Sequence, residues 1–140
     1  MTIYFAGSIR GGRDDLDIYL SLIDELKKYG EVFTEHIGKH SITDAREDLT
    51  SEEIYERDMA WLRQADVIVA EVTKPSLGVG YEIAQAEAMS KRILCLHRTL
   101  PGARVSAMIG GNPNLDVRTY TNLTDAAELL REYCTTYAGS

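Results

Sequence analysis

The sequence predicts an α/β protein: one domain over residues 1–140, built on a five-stranded parallel sheet with helices on both faces. Short apolar runs alternate with helical patterns along the chain, which is typical of parallel sheets. One run, residues 65–72, is rich in β-branched residues and nearly continuous, as expected of a central strand buried on both faces. With 140 residues, 44% of them hydrophobic, the chain is long enough for one core, and no linker divides it.

Hydrophobic spacing and glycines delimit the first elements. A strand over residues 2–6 stops at Gly7, where a polar, glycine-rich turn over 7–12 begins. Apolar residues at helical spacing predict a helix from about 14 to 29, and Gly30 ends it. This succession of strand, glycine turn and helix is the first half of a βαβ unit.

The next elements are a strand, a long polar connection and a second helix. The strand is expected at 31–35 and the connection at 36–49. The helix runs from 51 to about 64, and Thr50 or Ser51 can cap it because an acidic residue follows in its first turn.

After the central run comes a second glycine-containing turn over 75–80, followed by a helix to about residue 90 and a strand over 92–97. Both glycine turns directly follow strands. Because parallel strands end at one edge of the sheet, both turns fall on the edge where such folds bind ligands.

The C-terminal part predicts one more strand and helix. An irregular stretch over 99–114 leads to a strand at 117–120. The closing helix is expected at 124–133, with Thr124 as its cap.

Charge and cysteine usage exclude several classes of protein. The net charge is −7, from 15 basic and 22 acidic residues, which argues against a nucleic-acid partner but leaves a small anionic ligand open. Cys95 and Cys134 are too few for a disulfide framework and lack metal-ligand spacing, and the three histidines lack it too, so we predict no metal and no cofactor. No targeting or membrane segment is visible, which predicts a cytoplasmic protein, or a nuclear one in a eukaryote.

The first glycine turn is a candidate anion site. Its backbone N–H groups can surround a phosphate, with Arg10 as a charge partner, although a plain strand-to-helix turn is the alternative. Neither a Walker A loop nor a dinucleotide fingerprint is present. The candidate binding residues are Gly7, Ser8, Ile9, Arg10, Gly11 and Gly12.

The second turn places a carboxylate, Glu82, in what is predicted to be the first turn of a helix. Gly78 and Gly80 look like part of a dinucleotide motif, but Ile83 stands in place of its third glycine. A helix dipole favours the ionised carboxylate that a nucleophile needs, although Glu82 is alternatively a helix-start residue that only complements the dipole.

Asp58 is the second candidate acid. It lies four residues from both Ile54 and Leu62, on the apolar face of its helix, whereas Glu56 and Arg57 fall on other faces and look solvated. An acid on a buried face is either functional or an ion-pair partner. Two carboxylates aimed at one cleft beside a phosphate loop suggest glycosidic-bond chemistry.

Weaker candidates are Tyr4, which is either core or directed at a sugar, and His36, a loop residue. Ser106 lies in a long loop that can reach a neighbouring subunit.

At this point the motifs resemble a known group. Residues 4–12, Asp58 with 61–62 and 65–66, 70–73, 75–82 and 105–109 are similar, in order, to the 2′-deoxynucleoside 5′-monophosphate N-glycosidases (the Rcl group) of the nucleoside 2-deoxyribosyltransferase superfamily. The resemblance implies a flavodoxin- or Rossmann-like fold, a homodimer, a deoxynucleotide substrate, and free base and 2-deoxyribose 5-phosphate as products.

The resemblance also implies residue roles. Glu82 would attack C1′ and form a covalent glycosyl intermediate, Asp58 would protonate the base and later activate water, and Tyr4 would lie on the sugar side. Phosphate would be bound by Ser8, Ile9, Arg10 and Gly11 of the first loop and by Ser76 and Gly78 of the second. His36 would line the pocket, and Ser106 would come from the other subunit.

Three alternatives stay open. A ribonucleotide N-glycosidase, for example one acting on CMP, would keep both carboxylates. A nucleoside deoxyribosyltransferase would share the Glu82 intermediate but pass the sugar to another base. A nucleotide-binding module without catalysis is the third.

Overall fold

The computed structural model describes residues 1–8, 13–34 and 49–137, and it confirms the predicted α/β architecture. Its strands are β1 Thr2–Ala6, β2 Glu31–Thr34, β3 Val67–Glu71, β4 Arg92–Arg98 and β5 Asp116–Tyr120. Its helices in this part of the chain are α1 Arg13–Leu26, α2 Ser51–Gln64, α3 Leu77–Ala88, α4 Ala107–Gly110 and α5 Leu123–Tyr137.

The five strands form one parallel sheet in the order β2-β1-β3-β4-β5. Every residue of β3 is buried, as the β-branched run predicts for a central strand. The chain winds outward in opposite directions from β1 and β3, so the crevice between their carboxyl ends is the place where this topology binds ligands.

Two hydrophobic layers sandwich the sheet because side chains alternate along each strand. Ile3 and Phe5 of β1 face α1 and α5, whereas Tyr4 and Ala6 face α2 and α3. The face of the sheet that carries Tyr4 is therefore the one covered by the helices that hold Asp58 and Glu82.

The start of α3 differs from the prediction. The helix begins at Leu77, and Ser76 caps it by accepting a hydrogen bond from the N–H of Val79 at 3.2 Å. Gly78 and Gly80 are thus helical, and the predicted turn over 75–80 is wrong in its second half. The glycines indicated a turn, but Ser76 is a good capping residue and the helix begins directly after it.

Two other boundaries also differ. Asn122, not Thr124, caps α5, since its Oδ1 atom accepts a hydrogen bond from Asp125 N at 2.9 Å, and the helix continues to Tyr137. The stretch expected to be irregular contains the short helix α4. By contrast, Thr50 caps α2 as predicted. No helix in the described ranges combines the length and apolar character needed to cross a membrane.

Candidate active site

Tyr4 and Glu82 meet at the carboxyl edge of the sheet. Tyr4 is 1% exposed, and its hydroxyl donates a hydrogen bond to Oε2 of Glu82, which is half-buried. The ring of Tyr4 is therefore part of the core, as one of its two alternatives predicts, and its hydroxyl reaches the candidate nucleophile.

The position of Glu82 corrects one argument made from the sequence. Because α3 begins at Leu77, Glu82 lies in the second turn of the helix rather than the first. The field of a helix terminus falls off within the first turn, so it is not what holds this carboxylate. The hydrogen bond from Tyr4 does so instead.

Asp58 is buried on α2, as its spacing predicts, and it is paired with its neighbour Arg57. Arg57 Nε donates to Asp58 Oδ1 at 3.0 Å, and Nη2 lies 2.9 Å from the same oxygen. The guanidinium carbon is 4.7 Å from the centre of the Trp61 ring, which stacks on Phe33 at 5.8 Å.

Arg57 is the site residue that the sequence reasoning missed. The expectation that it is solvated is wrong: its side chain is 20% exposed. Arg57 and Trp61 are four residues apart and therefore neighbours on one face of α2, where the long arginine stem lets the guanidinium cover the indole ring. The Arg-to-Trp spacing of four residues was the available signal.

A tyrosine pair connects the two helices that carry the acids. The hydroxyls of Tyr55 on α2 and Tyr81 on α3 are 3.5 Å apart. Tyr55 is one helical turn before Asp58, and Tyr81 directly precedes Glu82. The contact thus lies where the segments bearing both carboxylates pack together.

The first glycine turn is described only at its start. A Cβ on Gly7 would lie 3.2 Å from the rings of Phe5 and Tyr19, so close packing alone accounts for this glycine. Ser8 is buried. Four predicted phosphate-binding residues and the predicted pocket histidine lie outside the described residues: Ile9, Arg10, Gly11, Gly12 and His36.

The N-terminus of α3 holds the second pair of predicted phosphate-binding residues. Gly78 is exposed, and among the described atoms a Cβ there would meet only Ser76 Oγ, at 3.9 Å. The packing of the described chain therefore does not require glycine at this position. A bare backbone at a helix N-terminus leaves room for an anion to approach the N–H groups.

Ser106 caps α4, accepting a hydrogen bond from Met108 N at 3.2 Å, and it is exposed. It lines a groove of about 580 Å³ between α3 and α4, to which Ser76 also contributes. Glu82 does not line this groove. The structure therefore brings Ser106 near the second predicted phosphate turn but to a different side of α3 from the nucleophile.

Metal binding depends on clusters of potential ligands, and thiol chemistry on the two cysteines, within the described ranges. No set of three or more His, Cys, Asp or Glu side chains there is arranged to hold a metal ion. Cys95 and Cys134 are both buried and unpaired. Burial raises the pKa of Cys95 to about 12 and that of Cys134 to about 11, so both stay protonated.

A family model described as nucleoside 2-deoxyribosyltransferase matches residues 3–112. The chain belongs to the nucleoside 2-deoxyribosyltransferase family. The matched range contains Tyr4, Asp58, Glu82 and both glycine turns, and it confirms the superfamily that the motifs indicated.

Relatives of this family member include a protein from Danio rerio named 5-hydroxymethyl-dUMP N-hydrolase. It is 50% identical over 137 residues, covering 95% of each chain. A protein of the same name from Tetraodon nigroviridis is 46% identical over 136 residues, covering 96% of this chain and 89% of its own. Among solved structures, the CMP N-glycosidase BcmB of Clostridium botulinum has a TM-score of 0.67 at 18% identity, covering 95% of this chain and all (100%) of that one. At that identity the likeness is one of fold.

Proposed function

We propose that this protein hydrolyses the N-glycosidic bond of 2′-deoxynucleoside 5′-monophosphates to the free base and 2-deoxyribose 5-phosphate. The observation that carries the proposal is the hydrogen bond from Tyr4 to Glu82 at the carboxyl edge of the sheet. It holds a half-buried carboxylate at the ligand-binding edge of a family whose relatives, about half identical to this chain, are named N-hydrolases.

The first chemical step uses Glu82 as the nucleophile. Its carboxylate attacks C1′ of the deoxyribose, the bond from C1′ to the base nitrogen breaks, and the electron pair leaves with the base. Protonated Asp58 gives its proton to the departing base. The sugar is then an ester of Glu82, and Asp58 is a carboxylate.

The second step returns the enzyme to its starting state. Asp58 takes a proton from water as the oxygen attacks C1′, and the ester bond breaks to release Glu82. The contact with Arg57, whose Nη2 lies 2.9 Å from Oδ1 of Asp58, holds this carboxyl group in place for both proton transfers. The guanidinium is itself held against the ring of Trp61, which stacks on Phe33.

The 5′-phosphate is assigned to the two turns at the same edge. In this proposal Ser8, Ile9, Arg10 and Gly11 bind it from the first turn, and Ser76 and Gly78 bind it from the start of α3. The open backbone at Gly78 supports the second assignment.

The test is base release from a panel of deoxy- and ribonucleoside 5′-monophosphates, including 5-hydroxymethyl-dUMP, followed by chromatography. We expect release from the deoxynucleotides and its loss in Glu82→Gln, with Glu56→Gln on the exposed face of α2 as the matched control. Release from ribonucleotides alone would move the protein to the ribonucleotide N-glycosidases. Full activity of Glu82→Gln would contradict the nucleophile assignment.

Sugar transfer is a second candidate, because the family description names a transferase. It shares the Glu82 ester and differs in the group that intercepts it. Adding a second free base to the same assay distinguishes the two: a new nucleoside or nucleotide indicates transfer, and 2-deoxyribose 5-phosphate alone indicates hydrolysis.

We further propose a homodimer in which Ser106 enters the partner's active site. The α3 helix supports it: Glu82 and Glu87 are its sole charged residues, and a helix apolar nearly all round is usually covered on both sides. Leu77 is 97% exposed and Met108 81%, and both line the groove that contains Ser106. A second copy seated there would cover this surface.

Mixing two inactive variants tests the shared site. In a heterodimer of Glu82→Ala and Ser106→Ala, one of the two sites has an intact Glu82 and an intact Ser106 if the serine acts across the interface. Activity that appears on mixing supports the proposal. A monomer in analytical ultracentrifugation, or no gain on mixing, contradicts it.

We also propose a cytoplasmic location. The two cysteines support it, because both are reduced and buried and therefore suit a reducing compartment. Fluorescent tagging of the full chain in its source cell tests this.

A further inference from the structure

A buried carboxylate outside the proposed chemistry lies at the end of the central strand. Glu71 is 1% exposed. Its Oε1 accepts a hydrogen bond from Thr73 N at 2.7 Å, and its Oε2 accepts from Thr73 Oγ1 at 2.9 Å and from the hydroxyl of Tyr120. A carboxylate this deeply buried is costly unless such donors surround it.

Thr73 extends these contacts to the neighbouring strand and to α1. Its Oγ1 accepts a hydrogen bond from Arg98 N at 2.8 Å, so this hydroxyl both donates and accepts. Arg98 Nη2 lies 2.9 Å from Oδ1 of the buried Asp15, and Lys74 Nζ lies 3.7 Å from its Oδ2. A continuous polar network thus runs from β5 through the end of β3 to α1.

The electrostatics of the network keep its hydroxyl groups protonated. Burial, followed by the charge of Glu71, raises the pKa of Tyr120. The same causes in the same order, with Asp15 added, raise the pKa of Tyr19 on α1. Tyr120 therefore remains protonated, and a donor to Glu71, at neutral pH.

We infer that Glu71 and Thr73 are positioning residues for the phosphate-binding turn that follows β3. Both oxygens of Glu71 bind Thr73, and Thr73 binds β4, so the chain leaves the sheet in one fixed direction. Ser76 and the start of α3 come directly after this fixed point. The inference rests on the proposed function, because it assigns the network to the phosphate group.

The network lies next to the two turns assigned to the 5′-phosphate rather than among the residues assigned to bond cleavage. It reaches the turn before α3 and, through Asp15, the helix that follows the first glycine turn. The residues that form it, among them Glu71, Thr73, Tyr120, Arg98 and Asp15, are not those to which the proposal assigns bond cleavage. Loosening it should therefore weaken the binding of a 5′-phosphate more than it slows bond cleavage.

Two substitutions at Thr73 give a matched test. Thr73→Val keeps the shape and removes the hydroxyl, whereas Thr73→Ser keeps the hydroxyl. For 5-hydroxymethyl-dUMP we expect Thr73→Val to raise KM roughly tenfold with kcat changed less than about threefold, and Thr73→Ser to stay within about twofold of wild type. Tyr120→Phe, which removes the other donor to Glu71, should raise KM in the same way.

The unphosphorylated nucleoside is the control substrate. Thr73→Val should leave kcat/KM for 5-hydroxymethyl-deoxyuridine unchanged within about twofold, because that substrate lacks the group being positioned. Where turnover of the nucleoside is too slow, calorimetric binding of both compounds to Glu82→Ala, with and without Thr73→Val, gives the same comparison. Equal losses for nucleotide and nucleoside, or no loss in either Thr73→Val or Tyr120→Phe, would overturn the inference.

Ser76→Ala shows which proposal has failed. If it raises KM for the nucleotide and Thr73→Val does not, the positioning role is wrong and the phosphate site stands. If neither wild type nor Ser76→Ala discriminates nucleotide from nucleoside, the phosphate assignment itself is wrong, and the positioning role fails with it.

Discussion

Tyr4 donates its hydroxyl hydrogen to Glu82 across 78 residues of sequence, linking β1 of the sheet to α3. The ring of Tyr4 is fixed in the core by the packing of β1 against α2 and α3. The direction of the Glu82 carboxylate is therefore set by a rigid part of the fold. Sites built on strands and helices are more precisely positioned than sites built on loops.

This relationship predicts the effect of Tyr4→Phe. The variant keeps the buried ring and removes the donor, so the carboxylate is less well oriented for attack. We expect kcat to fall by roughly 10- to 100-fold while KM changes little. Steady-state kinetics measures both, and Tyr29→Phe, at a partly exposed tyrosine after α1, is the matched control. A Tyr4→Phe enzyme with wild-type kcat would show that the hydrogen bond has no catalytic role.

The ion pair of Arg57 and Asp58 predicts a loss of stability in Arg57→Gln. The side chains are 20% and 12% exposed, so the carboxylate would lose its cation in a mostly buried place. We expect unfolding free energy to fall by roughly 1–3 kcal/mol in urea denaturation. Arg63→Gln, at an exposed arginine of the same helix, should stay within about 0.5 kcal/mol of wild type. Equal effects of the two variants would rule out a special role for the pair.

The sequence was sufficient to predict the succession of strands and helices along the chain and the position of Asp58 on a buried helix face. Alternating strand and helix patterns specify a parallel sheet, and a spacing of four residues from Ile54 and Leu62 places Asp58 on the buried face. These are local patterns. They depend on residues close together in the chain.

What the sequence did not yield depends on distant contacts or on side-chain length. Glu71 lay inside a strand-like run, and its partner Tyr120 is 49 residues away. Arg57 was expected to be solvated, whereas its guanidinium lies over Trp61, one helical turn further along α2. The start of α3 differs from the prediction because glycine at position 78 is typical of a turn. Ser76 caps the helix two residues earlier.

The capping box of α2 predicts a measurable effect of Thr50→Ala. Glu53 N donates to Thr50 Oγ1 at 3.1 Å, and Thr50 N donates to Glu53 Oε1 at 3.0 Å. Removing the hydroxyl should lower the unfolding free energy by about 1 kcal/mol, whereas Thr50→Ser should retain most of it. Thermal unfolding of both variants measures this. A smaller loss in Thr50→Ala than in Thr50→Ser would contradict the assignment of the cap.

Glu87 predicts a pH-dependent contact between α3 and the segment after α4. Asn112 Nδ2 donates to its Oε1 at 2.9 Å and Asn114 Nδ2 donates to its Oε2 at 2.8 Å. The hydrogen bond from Asn114, followed by that from Asn112, lowers the pKa of Glu87 from 4.5. A carboxyl whose pKa is lower in the folded state contributes stability above its unfolded pKa and loses it as pH falls through the folded value.

The contribution of Glu87 should therefore be complete at neutral pH and should decline below about pH 4.5. We expect the difference in Tm between wild type and Glu87→Gln to be constant from about pH 5 to 7 and to shrink in more acidic buffer. Thermal unfolding across this range measures the difference, with Glu56→Gln as an exposed control. A difference that grows on acidification would have the wrong sign for a lowered pKa.

Because the contact holds the segment that follows Ser106, we expect amide exchange over residues 106–114 to speed up in Glu87→Gln at neutral pH.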